Sequence, residues 1–176
     1  MLNRVVVSGI GGISAFGRDW ASIQTAFKQG RNAVQNMGWQ GQYPDLEAQL
    51  GAPIEGYAPP AHWTRKQLRS MGRVSYLCVD AAEQALADAG LLGDERIKDG
   101  RMGVACGSST GSTADIRDIG ELLLTGRSAH FSANTYVRMM PHTTAANVGI
   151  FFGLTGRIIP TSSACSSGSQ GIGYAY

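Results

Sequence analysis

Charge is scarce and evenly split in this 176-residue chain: 16% of residues are charged, and 15 Lys and Arg against 13 Asp and Glu leave a formal charge of +2. So small a surplus, with the cations scattered instead of run together, excludes a chain built to grip nucleic acid or an anionic membrane. Long apolar runs are also missing. No stretch approaches the roughly 18 apolar residues that a membrane-spanning helix needs. The opening "MLNRVVVSGIGG" holds an apolar run too short for a signal-peptide core. Cysteine is rare, at three, with no CxxC and no histidine at ligand spacing. That pattern excludes a disulfide framework and a zinc site, so no metal is expected, and it fits a reducing, cytoplasmic compartment.

What the chain does have is glycine, 24 residues of 176, close to twice the usual share of about 7%. The glycines fall in clusters such as "SGIGGISAFG", "CGSSTGS" and "SSGSQGIG", which predict tight backbone turns and not a flexible linker. With 43% hydrophobic residues the composition is that of an ordinary globular domain.

Periodicity divides the chain into alternating elements. "RVVVSGI" (4–10) reads as a buried strand entering a turn. "DWASIQTAFKQG" (19–30) reads as a helix capped by Asp19 and stopped by Gly30, with Trp20, Ile23 and Phe27 inward. Residues 32–64 lose all period and read as a surface excursion. The clearest helix is 70–90, where Val74, Leu77, Cys78, Ala81, Ala82, Ala85, Leu86 and Ala89 recur at helical spacing. "RMGVACGSS" (101–109) reads as a second buried strand. "TADIRDIGELLLTG" (113–126) reads as a helix with Ile116, Ile119, Leu122 and Leu123 inward. A helix over 139–156 accepts Pro141 in its first turn and closes near Gly153 or Gly156. "GRIIPTSSAC" is a strand in which Pro160 belongs at an edge, a bulge or an end, and a small-residue helix follows. Strands alternating with helices predict an α/β fold with a largely parallel sheet.

Cys78 and Cys106 lie within apolar patterns and read as core cysteines. Cys165 stands apart, between a strand and a helix start, among Ser162, Ser163, Ala164, Ser166, Ser167 and Gly168. A helix N-terminus stabilises a thiolate, and its free amides can donate to an oxyanion when a thioester carbonyl is attacked. The same residues also fit a buried cysteine in a tight strand–helix joint, and local chemistry leaves the two readings open. Gly9, Gly11 and Gly12 do not complete a dinucleotide-binding G-x-G-x-x-G, because Ser14 occupies the last position. "CGSSTGS" lacks the lysine of a phosphate loop. Of the histidines, His62 reads as solvated, His130 as a loop residue and His142 as a capping or packing residue at a helix start. None identifies a base for Cys165.

In their order, "RVVVSGIGGISAFG", "ALADAGL", "GVACGSSTGS", "MMPHTTAANVGIFFGLTG" and above all "TSSACSSGSQGIGYA" resemble the β-ketoacyl-acyl carrier protein synthases, the elongating condensing enzymes of the thiolase superfamily. The resemblance spans residues 1–176 apart from the variable 32–64 excursion. It implies a thiolase-like αβαβα layered fold of which only the N-terminal part is present. It implies Cys165 as the catalytic nucleophile and backbone oxyanion donor, loaded with an acyl group from carrier-protein phosphopantetheine. A malonyl-carrier thioester then loses carbon dioxide and attacks the acyl-enzyme, giving a 3-oxoacyl thioester. No cofactor is implied.

By the same resemblance Thr110 gates the acyl pocket, and Met139 and Met140 line it unless they are plain core. Acyl carrier protein is the expected partner, with a homodimer, or a heterodimer with a related subunit, formed along "GRIIPTSS". The family's catalytic histidines lie in its second half, so the chain is expected to be the N-terminal portion of a longer synthase. The resemblance embraces fatty-acid elongation and polyketide or polyene synthesis. A non-catalytic chain-length-factor-like subunit and a coenzyme A-dependent thiolase-fold enzyme are the alternatives.

Overall fold

A computed structural model of the chain describes residues 4–176. Asp19 caps α1 (Trp20–Lys28), its carboxylate accepting from the Ser22 N–H at 2.8 Å. At the other end Gly30 adopts φ +64° while its N–H bonds the Phe27 carbonyl and the Arg31 N–H bonds the Ala26 carbonyl, the paired closure that a left-handed glycine permits. The inward residues are Ile23 and Ala26. Phe27 is exposed and packs edge-on against Phe16, with ring centroids 5.9 Å apart. The expected Trp20/Ile23/Phe27 stripe is therefore rotated: one short turn of contact suffices for a helix that meets the body only along its Ile23 side.

The run 4–10 corrects a second expectation. It is not a buried strand: it has no ladder partner among the described residues, and Val7 is 79% exposed. Instead residues 9–11, at its end, lie along a helix, α3 (Arg73–Asp88), where the Ile10 N–H donates to Asp88 Oδ2 at 2.9 Å. A Cβ on Gly9 or Gly11 would fall 2.2 and 2.0 Å from the carbonyl oxygens of Ala85 and Ala81. β-branched residues suit a pleated surface but do not make one; the ladder needs a neighbour.

The 32–64 excursion forms a small antiparallel ribbon of β1 (Gln35–Asn36) and β2 (Leu50–Gly51), then passes into α2 (Arg65–Leu68) through a Thr64–Gln67 capping box. Its end is not surface. Trp63 is buried, donates from Nε1 to Glu83 at 3.3 Å and packs tilted against Phe151, with ring centroids 4.9 Å apart. His62, expected to be solvated, is exposed but bonds Glu83 at 2.9 Å through Nε2.

Trp63, Met71, Val79, Ile97, Val148 and Phe152 form the core, where α3 packs on α6 (Thr143–Phe152). Asn147 of α6 is buried with its amide satisfied: Ser70 Oγ donates to Oδ1 at 2.8 Å, and Nδ2 reaches Ser75 Oγ at 3.1 Å. The predicted 139–156 helix is in fact two. α5 (Ala133–Met139) ends before Pro141, and α6 begins after His142. His142 is exposed and its side chain makes no capping bond.

β3 (Val104–Gly107) pairs in parallel with β4 (Ile158–Thr161), in register from Val104 against Ile158 to Gly107 against Thr161. The Val104 N–H reaches the Arg157 carbonyl and the Ser108 N–H the Thr161 carbonyl. That alternation turns Pro160 toward the outer edge, where its missing N–H breaks no bond to β3. Between the strands, α4 (Thr113–Thr125) buries Asp115 and Asp118 and exposes Ile116 and Leu123, with Ile119 and Leu122 half-buried. This inverts the expected face, because α4 docks on α5 through Asp115, which lies 3.6 Å from the Arg138 guanidinium. After β4, a 3-10 turn (Ala164–Ser166) leads into α7 (Ser167–Ala175), which lies across both strands.

Candidate active site

Both parallel strands point their carboxyl ends the same way, the edge at which α/β sheets present ligands. Each ends in a turn of small residues leading to a helix, so the Thr110 turn and the Cys165 turn are neighbours across the Ser108–Thr161 bond of 3.0 Å.

The Cys165 turn is an elbow. Ala164, immediately before the cysteine, has φ +51°, and it is the one non-glycine residue at positive φ among the described residues. That conformation costs an alanine about 1–3 kcal/mol, so surrounding bonds must hold it. They are hydroxyl bonds. Ser167 Oγ accepts from the Ser163 N–H at 2.8 Å and donates to the Ala164 carbonyl at 2.7 Å. Thr161 Oγ1 donates to the Ser167 carbonyl at 2.7 Å. On the outer side Ser166 Oγ donates to the Ser163 carbonyl at 3.0 Å. Cys165 itself is exposed, and its amide N–H has no intrachain acceptor among the described residues. A thiol and a free amide on the first turn of a helix are the two groups that covalent acyl transfer asks for: one to attack a carbonyl, one to donate to the oxygen that becomes negative.

Gly107 explains why the elbow stands where it does. A Cβ there would lie 2.3 Å from the Ser167 carbonyl group, so α7 rests directly on the end of β3. The Thr110 turn is held differently. A Cβ on Gly111 would fall 1.9 Å from the Met139 carbonyl oxygen, the Ser112 N–H bonds the Arg138 carbonyl at 2.9 Å, and Ser112 Oγ caps α4.

The structure thus gathers Thr110, which is exposed, and Met139, whose backbone meets Gly111, at the same edge as Cys165. Met139 closes α5 and Met140 is its extended C-cap, so neither starts a helix as expected; both are half-buried. None of the five principal cavities among the described residues is lined by Cys165, Thr110, Met139 or Met140.

Cys78 and Cys106, read as core cysteines, meet with sulfurs 3.7 Å apart. The bond to Cys106, and then burial, hold the Cys78 thiol well above the ordinary thiol range, so it remains a protonated, inert group. Sequence reasoning did not single out Ser167, Thr161 or Gly107. Ser167 is one serine among several, and only its two-residue offset from the cysteine hinted at a role.

Comparison with known proteins gives concordant findings. The family described as "Beta-ketoacyl synthase, N-terminal domain" matches residues 2–176. The chain is 36% identical to Nodulation protein E of Rhizobium leguminosarum bv. trifolii over 99% of its own length and 43% of that protein. It is 30% identical to 3-oxoacyl-[acyl-carrier-protein] synthase 2 of Vibrio cholerae, covering 98% of this chain and 41% of the relative. A crystal structure of a β-ketoacyl synthase from Burkholderia phymatum STM815 superposes with a TM-score of 0.92 at 56% identity, over 99% of this chain and 43% of the other. The chain therefore spans less than half the length of the proteins it matches, and its thiolase-like fold is the portion that those 43% represent.

Proposed function

The chain belongs to the β-ketoacyl synthase family, matching its N-terminal domain, and from that premise we propose that the protein is a condensing acyltransferase with Cys165 as its nucleophile. The observation that carries this reading is the exposed Cys165 on a strained elbow at the carboxyl edge of the parallel pair. The Cys165 thiolate attacks the carbonyl of an acyl-carrier thioester, and the Cys165 N–H donates to the resulting oxyanion. Collapse breaks the carbonyl–sulfur bond to phosphopantetheine, which leaves as a thiolate, and the acyl group stays on Cys165. A malonyl-carrier thioester next loses carbon dioxide, and its α-carbon attacks the acyl-Cys165 carbonyl. The new carbon–carbon bond forms as the Cys165 thiolate leaves, yielding a 3-oxoacyl thioester. The groups that promote decarboxylation lie outside residues 4–176 in this reading, and no metal, nicotinamide or other cofactor enters it.

Thr110 gates the entering acyl chain, and Met139 and Met140 stand beside it. Acyl carrier protein, which appears in the Vibrio relative's name as the carrier of the 3-oxoacyl group, is the proposed partner. Exposed Arg65, Lys66 and Arg69 on and after α2 enter none of the ion pairs among the described residues. They offer a cationic surface suited to the carrier's phosphodiester arm. Among the described residues no strand pairs with the outer edge of β4, and that edge is the proposed contact with a second subunit, identical or related. No helix among the described residues is long and apolar enough to cross a membrane, and a cytoplasmic site fits the three free thiols.

The test uses the full-length protein. Incubation with acyl-carrier protein is expected to leave an acyl group on the Cys165 peptide, and Cys165→Ser is expected to lose condensation. Full activity in Cys165→Ser would end the reading. Running the same assay with acyl-coenzyme A separates the carrier-dependent enzyme from its coenzyme A-dependent relative.

A further inference from the structure

We propose that Ser167 is the positioning residue of the Cys165 elbow: its hydroxyl holds Ala164 in the left-handed turn and thereby sets where the Cys165 sulfur stands. The proposal rests on Cys165 being the acyl-accepting nucleophile.

Ser167 is buried at 4% exposure, whereas Ala164, Cys165 and Ser166 around it are exposed. Its single hydroxyl is bonded on both sides, receiving the Ser163 N–H at 2.8 Å and donating to the Ala164 carbonyl at 2.7 Å. These two peptide groups bracket the residues with the least ordinary backbone of the segment, Ser163 at φ −144°, ψ 48° and Ala164 at φ +51°. The hydroxyl therefore closes the bend from inside. The residue that carries it is itself fixed twice, by Thr161 Oγ1 on its carbonyl at 2.7 Å and by Gly107, which leaves no room for its backbone to shift toward β3.

The outer pair, Ser163 and Ser166, meets at 3.2 Å. Because Ser166 is exposed, water can replace that contact. Water cannot replace a hydroxyl buried beneath the turn without room for it. Removing the Ser167 oxygen leaves the Ser163 N–H unpartnered under the elbow and the Ala164 carbonyl with only the Ser167 backbone N–H, which frees Ala164 to return to negative φ and swings Cys165 out of the turn before α7. Ser167 touches neither sulfur nor substrate in this role; it acts through Ala164.

The experiment compares wild-type, Ser167→Ala and Ser167→Thr full-length protein by the rate at which iodoacetamide alkylates Cys165, read by peptide mass spectrometry across a range of pH. Condensation kinetics are measured alongside. Ser167→Ala is expected to lower the alkylation rate measurably and to cut acyl transfer to Cys165 about tenfold to a hundredfold, the scale of a misplaced reacting atom. It is expected to lower kcat with little change in KM for the carrier donor. Ser167→Thr keeps the hydroxyl and is expected to restore the rate. A folded Ser167→Ala protein that alkylates at the wild-type rate overturns the proposal.

Should Ser167→Ala fail to fold, Thr161→Val decides. It loses only the bond to the Ser167 carbonyl and is expected to slow alkylation measurably, and an unchanged rate overturns the proposal. Failure of the functional reading looks different: wild-type Cys165 would alkylate yet accept no acyl group from the carrier.

Discussion

β3 and β4 run side by side, and each passes through a turn of small residues into a helix, yet the two turns are held by different forces. After β3, residues 108–112 are fixed by close approach: Gly111 lies against the Met139 carbonyl and Gly72 against Ser112, where side chains would not fit. After β4, residues 162–166 contain no glycine, and the bend is made by an alanine at φ +51° under hydroxyl bonds from Ser167 and Ser166. Glycine gives a turn that costs little and can be displaced. An L-residue held at positive φ gives a turn with one geometry, dependent on the bonds that hold it. The second is the one that carries the cysteine.

The heaviest blow to this contrast is Gly107→Ala. Its Cβ would press at 2.3 Å on the Ser167 carbonyl group, displacing the elbow and its staple together. Overpacking of that kind costs about 1–3 kcal/mol, so a lowered unfolding midpoint and a collapse of acyl-Cys165 formation are expected together. Wild-type adduct formation would mean that the elbow does not rest on β3. Gly111→Ala sharpens the comparison from the other side. Its clash with the Met139 carbonyl oxygen, at 1.9 Å, is expected to cost a similar about 1–3 kcal/mol while leaving the rate of Cys165 alkylation near wild type. Equal damage to alkylation by both substitutions would show the two turns to be one unit.

Thr110→Phe has the smallest expected effect. Thr110 is exposed, so stability is expected to stay within about 0.5 kcal/mol. The longest acyl group transferred is expected to shorten, while acetyl transfer persists. A chain-length profile identical to wild type would remove Thr110 from the gate.

How much of this was legible in the sequence depends on whether a feature is local. Asp19 before α1, Gly30 and Gly153 after helices, and Cys165 between strand and helix all declared themselves through neighbours in the chain, and the structure places them so. What failed needed a distant partner. Residues 4–10 have strand composition, but no strand pairs with them among residues 4–176. The inward face of α4 was misread because the apolar count favoured Ile116 and Leu123, whereas Asp115 turns in to meet Arg138, well separated in sequence. α5 escaped notice because its cap is a Ser132–Thr135 pair and its length only 7 residues. Cys78 and Cys106 were rightly read as packed cysteines, but their contact joins residues 28 apart and no periodicity reports it.

The elbow shows the same limit at closer range. The small residues around Cys165 suggested room for backbone and substrate. That one serine is buried beneath the bend, and not merely small, is a property of its position over Gly107. Between a nucleophile and a quiet cysteine in a tight joint the local pattern is neutral, and the nucleophile reading comes from the family resemblance alone.

The central claim, that Cys165 accepts an acyl group, is tested most directly by mass spectrometry of the full-length protein after exposure to acyl-loaded carrier protein and removal of the carrier. The account predicts one acyl mass increment per chain, located on the Cys165 peptide, with Cys78 and Cys106 unmodified. An increment on another residue, or none while condensation proceeds, would contradict it.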